Sequence, residues 1–347
     1  MKSPNKIQNI KCVVWDLDNT LWDGILLEGD DLVLHENISD IISVLDSRGI
    51  LHSIASKNDY ETAMQKLKDF NLWEYFLYPQ IGWSSKSEYI KKIVTSINIG
   101  IDTIAFIDDQ PFEREEVSSS SPEVLCLDAV DIDNLLSMPE MIPRFVTSDS
   151  YQRRIIYMND MERNIIEEDF VGPKEEFLAS LEMKFRIFPA TEGDLHRAEE
   201  LTVRTNQLNA TGYTYSYDEL NNFRLSDEHR LLMATLEDKY GSYGHIGLAL
   251  IESKLEVWVI KLLLMSCRVM SRGVGTIMLN YIIQLAKENN VFLRAEFMPN
   301  GRNRMMDITY RFAGFEEIAQ TDGLLIFENN MQDTQSFPDY VEVRVDE

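Results

Sequence analysis

Apolar runs bounded by polar clusters set the rhythm of the first part of the chain. Cys12-Val13-Val14-Trp15, Leu51 to Ser56, Thr103 to Ile107 and Val124 to Leu127 read as buried strands. Between them, Ile38 to Asp46, Asn58 to about Phe70 and Tyr89 to Ile97 carry apolar residues at helical spacing, and Arg48-Gly49 supplies a glycine stop. Strand and helix alternate up to Asp109, which predicts a doubly wound parallel sheet of the α/β class. Ile25 to Leu34 holds Glu28-Gly29-Asp30-Asp31 between apolar residues, the pattern of a short hairpin flap rather than a separate cap. Gln110 to Glu116 reads as a loop entering a helix, and Ser118 to Pro122 as a breaker cluster.

The pattern changes after residue 147. Tyr151 to Asp169 reads as a charged amphipathic helix, followed by Gly172-Pro173 and a helix from Lys174 to Leu181. Strands follow at Lys184 to Pro189, Leu231 to Leu236, Ile246 to Ile251, Leu255 to Met265 and Val291 to Phe297. Thr191 to Asp194 caps a helix running to Arg204, Gly241 to Gly247 reads as a turn, and Gly273-Val274-Gly275 opens a helix from Thr276 to Glu288. Met305, Met306, Tyr310 and Phe312 read as core. The expected organisation is a first domain over residues 1–147, a helical connector over 148–182, an α+β domain over 183–330 and a mobile acidic tail over 331–347.

Composition narrows the function classes. The 347-residue chain carries a formal charge of −25, which argues against nucleic-acid binding, since duplex affinity comes from neutralising phosphates with Lys and Arg. No run of 18 apolar residues occurs, and Met1 to Lys6 lacks a signal-peptide core, so a soluble, cytoplasmic protein with no membrane partner is expected. Cys12, Cys126 and Cys267 are widely spaced, with no Cys-x-x-Cys and no Cys/His cluster, so neither a disulfide framework nor a zinc site is supported. Cys12 and Cys126 lie inside apolar strands and read as core.

Chemistry concentrates at strand ends, where open α/β sheets bind ligands. Asp16 and Asp18 follow the first strand, and two carboxylates two residues apart can serve as nucleophile and proton donor, with a hard metal neutralising their repulsion for a phosphate. A strand ending in a solvated turn is the competing account. Thr20 adds a hydroxyl, Ser56 ends the second strand, Lys86 offers an ammonium, and Asp108-Asp109 close the third. This order of motifs resembles the haloacid dehalogenase (HAD) superfamily of phosphotransferases. The resemblance implies Asp16 as the nucleophile, Asp18 as acid and base, Ser56 and Lys86 on the phosphoryl oxygens, and Mg2+ on Asp16, the carbonyl of Asp18 and Asp108, with Asp109 nearby.

In the second half, Arg272-Gly273-Val274-Gly275 between a long strand and a helix resembles the GNAT acyltransferase fold, where backbone N–H groups at a helix start bind the pyrophosphate of a pantetheine carrier. With Arg204 to Asn209 and Met265 to Met270, the pairing is similar to FkbH-like proteins over roughly residues 10–328. That resemblance implies conversion of 1,3-bisphosphoglycerate to a glyceryl thioester on a holo acyl carrier protein, with loss of phosphate, for polyketide or tetronate-type biosynthesis. Asp23, and the tyrosine-rich Ala210 to Tyr215, depart from the family's usual sequence.

Several residues carry two readings each. Cys267, beside Arg268 and ahead of the glycine turn, is either a buried structural cysteine or a thiolate that captures glycerate and hands it on. His245 is either a base for the incoming thiol or a surface turn histidine. Asn206 and Gln207 are candidates for orienting glyceryl hydroxyls, and Asn303 for contacting the phosphopantetheine, with solvated loops as the alternative. Two further functions stay in view, a stand-alone magnesium-dependent phosphatase and a non-catalytic carrier-docking scaffold.

Overall fold

The computed structural model describes residues 9–205, 207–332 and 335–346, with the side chain of Cys267 outside that set. The chain divides into two compact units after Asp160, inside a helix.

In the first unit β1 (Cys12–Trp15) leads through β2 (Trp22–Asp23) and β3 (Val33–Leu34) to helix α1 (Ile38–Ser47). Then come β4 (Leu51–Ser56), α2 (Tyr60–Asp69), β5 (Gln80–Ile81), α3 (Lys86–Ile97), β6 (Ile104–Asp108), α4 (Pro111–Ser120) and β7 (Leu125–Asp128). The five-stranded sheet has the order β5-β4-β1-β6-β7 and is parallel throughout, as the alternation of strand and helix requires. β1 lies at its centre with all four residues buried. Trp15, Ile54, Leu67, Ala105 and Ile107 belong to one core with the apolar stripe of α1, Ile38, Ile41, Ile42 and Leu45. The flap is a two-residue antiparallel ribbon, Trp22 opposite Leu34 and Asp23 opposite Val33. Helix α3 starts at Lys86 rather than Tyr89, because Ser85 caps it by accepting from Glu88 N–H at 3.3 Å. Residues 129–141 form two 3-10 segments.

α5 (Ser148–Tyr151) closes the first unit, and α6 (Arg153–Asp169), in which the division falls, leads to α7 (Lys174–Ser180) of the second unit. Its elements are β8 (Met183–Pro189), α8 (Leu195–Arg204), α9 (Tyr217–Arg224), β9 (His229–Asp238), β10 (Gly241–Ser253) and β11 (Val257–Met265). They are followed by α10 (Ile277–Glu288), β12 (Phe292–Phe297), α11 (Arg304–Phe312), β13 (Phe315–Thr321), β14 (Leu324–Asn329) and β15 (Val341–Val345). The eight strands run β13-β14-β12-β11-β10-β9-β8-β15, with β11/β12 and β8/β15 parallel. Period-two alternation divides the sheet's two cores. Leu248, Leu250, Leu262 and Leu264 face the α8/α9 side, and Ala249, Ile251, Leu263 and Met265 the other.

Three expectations are corrected here. Gly241 to Gly247 is not a turn: it begins β10, paired with β9, and its glycines accommodate irregularities at Ser242/Gly244 and His245/Gly247. The acidic end is not a free tail, because Val341, Val343 and Val345 pair in parallel with β8 from Met183 to Ile187. Met306 and Tyr310 are core, but Met305 and Phe312 are exposed on the outer face of α11.

Candidate active site

Parallel strands bring their carboxyl ends to one edge, and the central three, β4, β1 and β6, deliver Ser56, Asp16 and Asp108 there. Lys86, the first residue of α3, reaches into the same place. Its ammonium donates to Asp16 Oδ1 and to Ala55 O at 2.8 Å, and lies 3.1 Å from Asp108 Oδ2. Asp16, Lys86 and Asp108 are all buried. Burial presses Lys86 toward its neutral form, but the charges and hydrogen bonds of Asp16 and Asp108 outweigh it and hold the ammonium above the ordinary lysine range. Asp108 is pushed up to about 6, by burial first and by the Asp16 charge second, against the pull of Lys86. Asp109 is raised for the same two reasons, in the same order.

Asp18 is placed differently from Asp16. Its Oδ1 accepts from Trp22 Nε1 at 2.9 Å and from the Leu26 N–H at 3.1 Å, and its Oδ2 accepts from Asn58 Nδ2 at 2.9 Å. The flap and the β4–α2 loop thus hold this carboxylate beside the nucleophile candidate. Thr20 is buried, and its hydroxyl accepts from the Asp109 N–H at 3.2 Å, so it ties the first motif to the last. Ser56 Oγ is buried and lies 3.4 Å from Asn58 Nδ2. Asn58 was readable only as a helix-start residue; its contact with Asp18 spans 40 positions of sequence.

The donor set suits a hard divalent cation. Asp16, Asp108 and Asp109 each offer a carboxylate oxygen within 4.8 Å of the others. Asp109 Oδ1 is buried and accepts no hydrogen bond, and Asp108 Oδ2 faces only the Lys86 ammonium among the described residues. Oxygen-only ligands with orphaned lone pairs fit Mg2+. The side chain of Asp18 is committed to Trp22, Leu26 and Asn58.

The candidates in the second unit are more dispersed. Arg272 is buried, and it donates to Glu167 Oε2 at 2.7 Å and to Asn164 Oδ1 at 3.4 Å. Gly273 has φ +69°, and a Cβ there would stand 2.2 Å from the Tyr340 hydroxyl, which itself donates to Gly273 O at 3.4 Å. The turn is therefore covered by the chain's own C-terminal segment, beside Glu175, Glu176 and Asp339 in a cavity of about 680 Å³. Gly275 has open space around it. Arg268 donates to Ser266 Oγ at 3.4 Å. Cys267 begins a 3-10 turn, Cys267–Arg272, but its side chain lies outside the described residues, as does all of Asn206. Gln207 is exposed.

Asn303 is corrected from carrier contact to internal clamp. It is buried, and its amide donates to Asn209 O, Ala210 O and Met298 O at 3.0, 3.2 and 2.9 Å. The clamp holds residues 208–210 against β11, where Ala210 N–H donates to Leu263 O and Met265 N–H to Leu208 O. His245 stands within β10 rather than in a turn. Its Nε2 lies 3.5 Å from Asp194 Oδ1 and its ring packs edge-on to Phe188, while Cys12 and Cys126 sit in β1 and β7 with burial raising both thiols, the latter to about 11.

The first unit has an HAD-like α/β fold, and the second has a GNAT-like α+β fold. No protein-family model matches the chain. Over 154 residues it is 27% identical to human magnesium-dependent phosphatase 1, spanning 39% of this chain and 86% of that protein. Among solved structures it is similar to the N-terminal part, containing a phosphatase domain and complexed with Mg, of a Bacteroides fragilis protein. That match has 26% identity and a TM-score of 0.36, and covers 39% of this chain and 41% of the other. It is also similar to the ribosomal-protein-S18-alanine N-acetyltransferase of Escherichia coli, at 16% identity and TM-score 0.34 over 45% of this chain and 97% of that one. A GNAT family acetyltransferase from Elizabethkingia anophelis with acetyl-CoA bound matches at 16% identity and TM-score 0.31, over 42% and 97% of the two chains. Among the described residues no helix is long and apolar enough to cross a membrane.

Proposed function

We propose that the chain is a magnesium-dependent enzyme that converts 1,3-bisphosphoglycerate to a glyceryl thioester on an acyl carrier protein. The observation that carries the phosphoryl half of this reading is the convergence of Asp16, Lys86 and Asp108 on one sheet edge. Asp16, Asp108 and Asp109, with the Asp18 carbonyl that the HAD resemblance implies, would hold Mg2+, which would supply neutralising charge for an incoming phosphate. Asp16 attacks the ester phosphorus, and its Oδ–P bond forms as the bond to the leaving oxygen breaks. Asp18 gives that oxygen a proton, then takes one from the water that releases inorganic phosphate and regenerates Asp16. Lys86 and Ser56 hold the phosphoryl oxygens. In the second half-reaction the Cys267 thiolate attacks the acyl carbon and expels the acyl phosphate as inorganic phosphate, and the carrier thiol then takes the glyceryl group from sulfur. With carrier absent, intact-mass spectrometry should find a glyceryl adduct on the peptide containing Cys267. No adduct there, together with full carrier loading by Cys267→Ala, would remove the cysteine from the pathway.

A second reading, magnesium-dependent phosphatase activity without carrier use, is favoured by the Tyr340 hydroxyl over Gly273 and by the ion pair that withdraws Arg272. Incubation with 1,3-bisphosphoglycerate, Mg2+ and a holo carrier separates the two. Phosphate release with an unloaded carrier supports the second.

A further inference from the structure

We propose that Asn58 positions Asp18 and, through the other end of its amide, selects substrates bearing a hydroxyl on the carbon next to the phosphorylated group. The inference rests on the phosphotransferase reading of this site. Asn58 is 1% exposed, two residues beyond Ser56 and one before Asp59, the N-cap of α2. Its Nδ2 donates to Asp18 Oδ2 at 2.9 Å and stands 3.4 Å from Ser56 Oγ. With Nδ2 donating to Asp18, the other end of the amide is the acceptor Oδ1.

The consequence is that Oδ1 points away from Asp18, and it is buried with no hydrogen-bond partner. Buried acceptors without a donor are rare in folded proteins, because desolvation is uncompensated. A phosphoryl oxygen cannot satisfy this one, since it is itself an acceptor. A cationic donor would be drawn to Asp16, Asp18 and Asp109 instead. A neutral hydroxyl beside the reacting group fits, and it would turn an unsatisfied atom into a discriminating contact. Asn58 is a positioning residue toward Asp18 and a specificity residue toward the substrate.

The test compares 2-hydroxyethyl phosphate with ethyl phosphate, phosphate esters that differ only by that hydroxyl, for phosphate release by the full chain with Mg2+. The wild-type kcat/KM should favour 2-hydroxyethyl phosphate by about tenfold or more, the effect of one well-placed hydrogen bond. Asn58→Ala should bring the ratio to about one and lower kcat on both compounds. Asn58→Asp keeps an acceptor but sets a second carboxylate against Asp18, so it should lower kcat while retaining the preference. That split between the two variants is one a purely structural asparagine would not give. Equal use of both substrates by the wild type, abolished by Asp16→Asn, overturns the inference and leaves the phosphotransferase reading standing. Hydrolysis of neither compound above the Asp16→Asn level overturns both. The wild-type ratio decides the matter even if Asn58→Ala does not fold.

Discussion

Trp15 Nε1 donates to His52 Nδ1 at 3.1 Å across neighbouring strands, which makes Nε2 the protonated nitrogen, 3.2 Å from the Ile42 carbonyl. The ring is fully buried, and that burial lowers its pKa from 6.5 to about 3, against the opposing pull of the Ile42 carbonyl. The unfolded chain therefore binds a proton below pH 6.5 that the folded chain refuses until about pH 3. Stability from this group is complete above 6.5 and falls as pH drops, by about 1.4 kcal/mol per unit. Urea unfolding at pH 7 and pH 5 should show the loss, and His52→Gln should flatten that part of the profile. An unchanged slope in a folded variant would mean the histidine is not neutral in the core.

Asp16→Asn should abolish phosphate release while leaving the fold intact, because the amide keeps the shape but cannot act as nucleophile. Release at the parent rate from the purified variant would place the nucleophile elsewhere.

Removing the cation at the centre has a different signature. Lys86→Met leaves Asp16 and Asp108 buried side by side, and breaking a buried pair in this way costs about 3–5 kcal/mol. In EDTA the variant should melt well below the parent, and Mg2+ should recover more of its melting temperature than it adds to the parent. A variant that Mg2+ does not stabilise would argue against these carboxylates as ligands.

Gly273→Val should lower the stability of the second unit by about 1–3 kcal/mol, since a β-branched residue is strained at φ +69°. The displaced Tyr340 ring adds to that. Gly273→Val with Tyr340→Gly should recover the clash but not the backbone strain. Tyr340→Ala alone uncovers the turn, and a lower KM for a holo carrier protein is the expected result if pantetheine binds there. Unchanged carrier kinetics would remove the turn from the carrier's path.

How much of this was legible without coordinates follows from the range of each signal. β4 from Leu51 to Ser56 was read to the residue, because its apolar run ends abruptly at Ser56 and Lys57. The order of motif residues also told that Asp16, Ser56, Lys86 and Asp108 belong together, since parallel strands have only one carboxyl edge. The role of Asn58 was not legible, because nothing local marks an amide whose partner is a carboxylate on another strand. The same holds for Asn303, whose three acceptors come from two other segments. α9 escaped because its apolar stripe is sparse, with Leu220 its one buried residue, although Ser216 and Glu219 form a complete capping box. β15 was hidden by the charged residues Glu342 and Arg344 between its valines.

The pairing of β15 with β8 also sets an order of events on the ribosome. Every strand of the first unit's five-stranded sheet finds its neighbours within residues 12–128, so that sheet can assemble while synthesis continues. β8 is made at the start of the second unit but gains its outer neighbour only when residues 341–345 emerge. Until then its backbone is an open template for pairing with other chains. Nascent chains stalled or truncated before Val341 should therefore be the species that aggregate, with the first unit already folded.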